Sequence, residues 1–150
     1  MLVEQFTNHL LVIWVCNNQK ILLIEFSYSK NPDVEEVLYN LKRLGYKVII
    51  AHIERYSYLK IEDIEQLRSK NVLIQVNAAT IIGKSGFRQK IKVMRLIKNN
   101  LIDFIASDIH SKRNNYMGKA YNIIKKKFGE ETAHKLFVSN AITLLKHYGD

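Results

Sequence analysis

Four short runs of aliphatic and β-branched residues, each followed by a stretch with helical periodicity, limit what this chain can become. The runs are Ile21-Leu22-Leu23-Ile24-Glu25-Phe26, residues 47–51, residues 72–76 and residues 101–106, spaced roughly every 25 to 30 residues. Near-continuous apolar runs of this length suit strands buried on both faces, as in a parallel sheet. Val34, Val37, Leu38, Leu41 and Leu44 mark one face of a helix, which Asn31 caps, Pro32 opens and Gly45 ends. Further helices are expected at 61–69, along Phe87, Ile91, Met94 and Ile97, and along Ala120, Tyr121, Ile124 and Phe128. Two short helices, 130–136 and 141–147, close the chain, the second capped by Asn140. Residues 77–85 read as a loop, and the first twenty residues carry no clear strand-turn-helix pattern. The expected class is α/β, and no linker composition divides residues 1–150, which read as a single domain. Four strands fall short of the roughly eight that close a barrel, so the chain reads as part of a larger architecture.

Two of the runs end in residues that carry chemistry. Lys47-Val48-Ile49-Ile50 leads into Ala51-His52-Ile53-Glu54-Arg55, and Leu101-Ile102-Asp103-Phe104-Ile105 leads into Ala106-Ser107-Asp108-Ile109-His110. The C-terminal edge of a parallel sheet is where α/β proteins place their active groups. A lone histidine after a strand is ordinarily a satisfied structural residue. An Asp-x-His pair is more specific, because strand alternation points both side chains the same way. Imidazole and carboxylate suit divalent metals of intermediate hardness, so the residues alone support a metal-dependent hydrolase.

Composition narrows the partners. The 23 Lys and Arg against 14 Asp and Glu give a formal charge of +9, which favours anionic partners such as phosphate esters. Part of that charge is ordinary helix surface: Lys125-Lys126-Lys127 falls at a helix end, where cations suit the macrodipole. No nucleic-acid-binding signature accompanies the charge, so no nucleic-acid partner is expected. The one cysteine, Cys16, excludes a disulfide framework, and its place in the apolar run 10–16 reads as core. That run is too short to span a bilayer and lacks the features of a signal peptide. A cytoplasmic protein with no membrane insertion is expected.

Several stretches together resemble the bacterial metal-dependent protein-tyrosine phosphatases of the polymerase and histidinol phosphatase (PHP) superfamily, of capsule and exopolysaccharide loci. They are Leu22-Leu23-Ile24-Glu25-Phe26, Ile49-Ile50-Ala51-His52-Ile53-Glu54-Arg55-Tyr56, Gln75-Val76-Asn77-Ala78, Gly83-Lys84, Phe104-Ile105-Ala106-Ser107-Asp108-Ile109-His110 and Lys126-Lys127-Phe128-Gly129-Glu130. The resemblance runs from about residue 20 to the end and implies a partial, distorted TIM-like (PHP) barrel with parallel strands and outer helices. It also implies a divalent metal cluster, usually manganese, with Glu25 as bridging carboxylate and His52, Asp108 and His110 as further ligands. Arg55 matches the family arginine near the substrate phosphate, and Arg113 stands where a second loop arginine is expected, closer to the histidine than usual. Ile53 replaces the family's usual proline after the first histidine, which leaves that turn less constrained.

By this resemblance the activity is hydrolysis of phosphotyrosine by a metal-activated water. The substrate would be a phosphotyrosine protein, such as the autophosphorylating tyrosine kinase of polysaccharide synthesis. The family's early His-x-His segment has no counterpart here, and His9 does not stand in that context. The chain is therefore expected to be a truncated, C-terminal portion of such a barrel, weak in catalysis, with an open sheet edge that favours oligomers. Two rivals stay open. One is a PHP phosphoesterase acting on a small phosphomonoester; the other is a non-catalytic remnant that binds an anionic or phosphorylated partner through its basic surface.

Overall fold

A computed structural model describes residues 10–15, 20–28, 33–108 and 114–147. The chain divides into two compact units, Met1–Leu73 and Ile74–Asp150.

In the first unit, strand β1 (Leu10–Val15) runs antiparallel to β2 (Ile21–Phe26), and β2 runs parallel to β3 (Lys47–Ile50). The register pairs Leu22 with Val48 and Ile24 with Ile50, and the Ala51 N–H donates to the Ile24 carbonyl at 3.0 Å. Parallel neighbours need a long crossover, and helix α1 (Val34–Arg43) supplies it. Its Val34, Val37, Leu38 and Leu41 are buried, as the 3.6-residue spacing requires. Helix α2 (Ile61–Ser69) follows β3 and buries Ile64 and Leu67.

The second unit takes up β4 (Leu73–Asn77) from Ile74 and pairs it in parallel with β5 (Phe104–Ala106). Between them come α3 (Ala78–Ile81) and α4 (Phe87–Lys98), the latter burying Val93, Leu96 and Ile97. Asp103 secures this pair: its backbone N–H donates to the Ile74 carbonyl at 2.9 Å, and its carboxylate accepts the Ile74 N–H at 2.8 Å. Helix α5 (Met117–Phe128) precedes a helical run made of α6 (Glu130–His134), a π-turn at Lys135–Ser139 and α7 (Asn140–His147).

The α/β class and the four expected strands agree with this architecture, and four local expectations are corrected. The first twenty residues do contain a strand, and it is antiparallel; an alternation-free apolar run such as Leu10–Val15 takes its pairing from β2. Helix α1 begins at Val34 with Asp33 as its cap, the carboxylate accepting the Glu36 N–H at 2.9 Å, in place of the Asn31 cap. Residues 77–85 hold the one-turn helix α3. Asn140 keeps helical backbone angles and is no cap: its amide donates to the Asp103 carbonyl at 2.8 Å, so the last two helices are continuous. Cys16 and Pro32 lie outside the described residues.

Among the described residues, four non-glycine residues have positive φ: His52, Asn71, Asn100 and Asp108. Asn71 and Asn100 end helices. Val72 N–H reaches Leu67 O and Asn71 N–H reaches Arg68 O, and the same pattern joins Leu101 to Leu96 and Asn100 to Ile97. These are Schellman closures, which ask for a left-handed residue, and Gly45 makes a third at the end of α1. His52 and Asp108 close no helix. They stand just beyond β3 and β5, in a conformation that costs an L-residue about 1–2 kcal/mol.

Candidate functional site

The left-handed turn at His52 (φ 54°) follows β3 after one residue, Ala51, and leads into a single 3-10 turn, Ile53–Arg55. The parallel pairing of β2 and β3 brings the ends of both strands to one edge. There His52 Nε2 lies 2.8 Å from Glu25 Oε1, the imidazole 5% and the carboxylate 22% exposed. The other carboxylate oxygen, Oε2, accepts the Tyr28 hydroxyl at 3.3 Å. That hydroxyl in turn accepts an Arg55 guanidinium N–H at 3.2 Å, and Arg55 Cζ sits 5.7 Å from the Tyr28 ring centre. Imidazole, carboxylate, phenol and guanidinium thus form one connected set.

Tyr56 carries that set from below. It is wholly buried, its hydroxyl accepts the Phe26 N–H at 3.1 Å, and it donates to the Ala51 carbonyl at 3.0 Å. One side chain therefore ties the residue after Glu25 to the residue before His52. Its ring stacks on Tyr28 at 5.5 Å and lies 5.7 Å from Tyr58, whose hydroxyl donates to the Ser27 carbonyl at 2.9 Å. Burial raises the Tyr56 phenol well above the ordinary tyrosine value and pushes Tyr58 up to about 12, so both stay protonated donors. Burial raises Tyr28 as well, against the lowering effect of its Arg55 hydrogen bond.

In the second unit Asp108 (φ 48°) follows β5, and its carboxylate accepts the Asn77 side-chain N–H at 3.1 Å. Asn77 ends β4 and is 2% exposed, so a strand end again positions a carboxylate. Of the expected site residues, the structure brings together Glu25, His52 and Arg55 within the first unit and places Asp108 at the equivalent edge of the second. His110 and Arg113 lie outside the described residues. Tyr28, Tyr56 and the Asn77 contact went unmarked as site residues, because hydrogen bonds between residues distant in sequence leave no periodic signal. A groove of about 760 Å³ between α1 and α2, lined by Leu38, Tyr39, Arg43, Leu67 and Val72, contains none of these groups. Chemistry, not concavity, marks the site.

The donors suit a divalent ion of intermediate hardness. Glu25 and His52 offer two, short of the three or four protein ligands that such a centre ordinarily takes. Among the described residues no three His, Cys, Asp or Glu side chains group closely enough to hold an ion. The fit is therefore in donor type, with further ligands required beyond this pair.

Fold and site define an α/β protein with a polar cluster at the C-terminal ends of parallel strands. Residues 4–146 match the family described as "Capsular polysaccharide synthesis, CpsB/CapC", and the chain belongs to that family. It is 34% identical over 142 residues to the tyrosine-protein phosphatase CpsB of Streptococcus agalactiae, covering 88% of this chain and 58% of the relative. It is 33% identical over 136 residues to the tyrosine-protein phosphatase YwqE of Bacillus subtilis, covering 87% and 53%. A solved structure from work on YwqE of B. subtilis and CpsB of Streptococcus pneumoniae, described as unique metal-dependent tyrosine phosphatases, superposes with a TM-score of 0.78. Its identity is 34%, over 88% of this chain and 55% of that one. The chain thus spans a little over half the length of these relatives. No helix among the described residues is long and apolar enough to cross a membrane.

Proposed function

We propose that this chain carries part of the active centre of a metal-dependent protein-tyrosine phosphatase of capsule or exopolysaccharide synthesis. The carrying observation is the direct contact of His52 with Glu25 at neighbouring parallel strand ends, with Arg55 joined to the same carboxylate through Tyr28. The likeness to relatives named as tyrosine phosphatases supports the reading. Glu25 and His52 in the first unit, and Asp108 and His110 in the second, are each assigned as ligands that would hold divalent ions, manganese by the family resemblance. When bound, such ions supply an activated water at neutral pH and offset charge on the phosphoryl oxygens. Arg55 binds and orients the phosphate, its planar fork matching two oxygens at once, and Arg113 is assigned as a second anion contact. Asn77 holds Asp108, and Tyr56 holds the backbone on either side of the site. The substrate we assign is a phosphotyrosine protein, the autophosphorylating kinase of polysaccharide synthesis, met in the cytoplasm. We likewise propose that residues 1–150 belong to one PHP-type barrel domain.

The test is phosphotyrosine-peptide hydrolysis with manganese added and with a chelator, alongside metal analysis of the purified chain. Bound manganese and manganese-dependent release of phosphate, lost in Glu25→Gln and His52→Ala, are expected. Faster turnover of a small phosphomonoester than of the peptide would favour the phosphoesterase alternative. Neither bound metal nor turnover, with retained binding of a phosphorylated peptide, would favour the non-catalytic one.

A further inference from the structure

We propose that Tyr28 is a positioning residue whose hydroxyl holds the Arg55 guanidinium at the Glu25 carboxylate; this rests on the reading of Arg55 as the phosphate-binding arginine. One oxygen makes both connections, donating to Glu25 Oε2 at 3.3 Å and accepting from Arg55 at 3.2 Å. Glu25 is thereby oriented from two sides, with Oε1 against His52 and Oε2 against Tyr28. Arg55 sits on a long side chain whose rotamer freedom must be surrendered before it can grip an anion. The Tyr28 hydroxyl and the face of its ring restrict that freedom in advance, since the cation also lies over the ring, 5.7 Å from its centre.

The tether has a firm footing. Tyr28 lies beyond β2 and is 37% exposed, so a core does not hold it. Its ring instead stacks on Tyr56 with 25° between the planes, and Tyr56 is locked by two buried backbone hydrogen bonds. The line Tyr56–Tyr28–Arg55 therefore transmits the rigidity of the strand ends to a cation that no strand carries. Loss of the hydroxyl should leave the stack in place and remove one of the contacts that hold the arginine at Glu25.

The perturbation is Tyr28→Phe in the full chain, with retention of fold checked by circular dichroism and thermal melting. Calorimetric titration with inorganic phosphate in manganese-containing buffer reads the anion site. NMR of the Arg55 side-chain Nε–H reads the tether without any ligand. Tyr28→Phe should weaken phosphate binding about three- to tenfold, the net worth of one ordinary hydrogen bond felt through the arginine it positions. It should add nothing further in an Arg55→Ala background, since the hydroxyl acts through that arginine. The Arg55 signal should shift from its wild-type position, reporting the lost contact. If Tyr28→Phe melts early, Arg55→Lys, which keeps the charge and loses the fork, should show the same weakening of phosphate binding. Additive losses in the double variant, or an unmoved Arg55 signal, would overturn the proposal. No phosphate binding by the wild type, together with a shifted Arg55 signal in Tyr28→Phe, would sink the phosphatase reading and leave the tether standing.

Discussion

Replacing Tyr56 by Phe should lower the stability of the first unit and loosen its strand-end site at once. The change removes one oxygen and keeps the ring, so stacking on Tyr28 and the edge contact with Phe26 at 6.1 Å persist. Two buried backbone groups, the Phe26 N–H and the Ala51 carbonyl, lose the hydroxyl that joins them at 3.1 and 3.0 Å. A typical hydrogen bond contributes about 0.5–1.5 kcal/mol net, and two such bonds give about 1–3 kcal/mol. Water cannot easily replace the hydroxyl, because Tyr56 and Phe26 are both fully buried, which argues for the upper part of that range. The measurement is urea unfolding of wild type and variant, with hydrogen exchange followed at the Phe26 amide. The expected signs are a lower midpoint with unchanged slope and faster exchange at that amide. Because Phe26 adjoins Glu25 and Ala51 adjoins His52, the divalent-ion affinity of the proposed centre should fall in parallel. Stability within about 0.3 kcal/mol of wild type, with an equally protected Phe26 amide, would refute the claim that this hydroxyl pins the two strand ends.

Other perturbations probe the tyrosine cluster, the second unit and the start of α1 separately. Alkaline titration should destabilise the protein from about pH 10 upward. Tyr56 and Tyr58 have folded-state pKa values raised by burial, Tyr58 to about 12, so above pH 10 the unfolded chain loses protons that the folded chain keeps. Stability is full below the unfolded value and falls as pH rises toward the folded ones; urea midpoints at pH 8, 10 and 11 should show this, and Tyr56→Phe should flatten the slope. Asn77→Ala should weaken manganese binding about 10- to 100-fold by freeing the Asp108 carboxylate, as outer-shell changes do; an unchanged titration would remove Asp108 from the metal reading. Asp33→Ala should cost about 1 kcal/mol through loss of the α1 cap, as read by thermal melting, while leaving the Glu25–His52 contact unchanged.

Local pattern made β2 to β5, the longer helices and their order legible from the residues alone, because burial on two faces needs continuous apolar runs and burial on one helical face needs a 3.6-residue stripe; β1 and the one-turn α3 were not. Gly45 as a helix end, and the strand-end standing of His52 and Asp108, follow from the same local rules. Helix boundaries were less legible: Asn31, Pro32 and Asp33 all favour a helix start, and only the hydrogen bond to Glu36 decides for Asp33. Asn140 suits a cap by type, yet its partner is the Asp103 carbonyl, a residue remote in sequence that only folding brings near. The direction of β1 likewise depends on its pairing with β2. At the site, residue type and strand-end position marked His52, and the family resemblance added Glu25 and Arg55, but tertiary structure placed Nε2 against Oε1 and threaded Tyr28 between carboxylate and guanidinium. It also stored backbone strain at His52 and Asp108, where no helix end requires it. Periodicity reports which side of an element is buried; it carries no record of which distant atom a polar group will meet, and the chemistry of this site lies in those meetings.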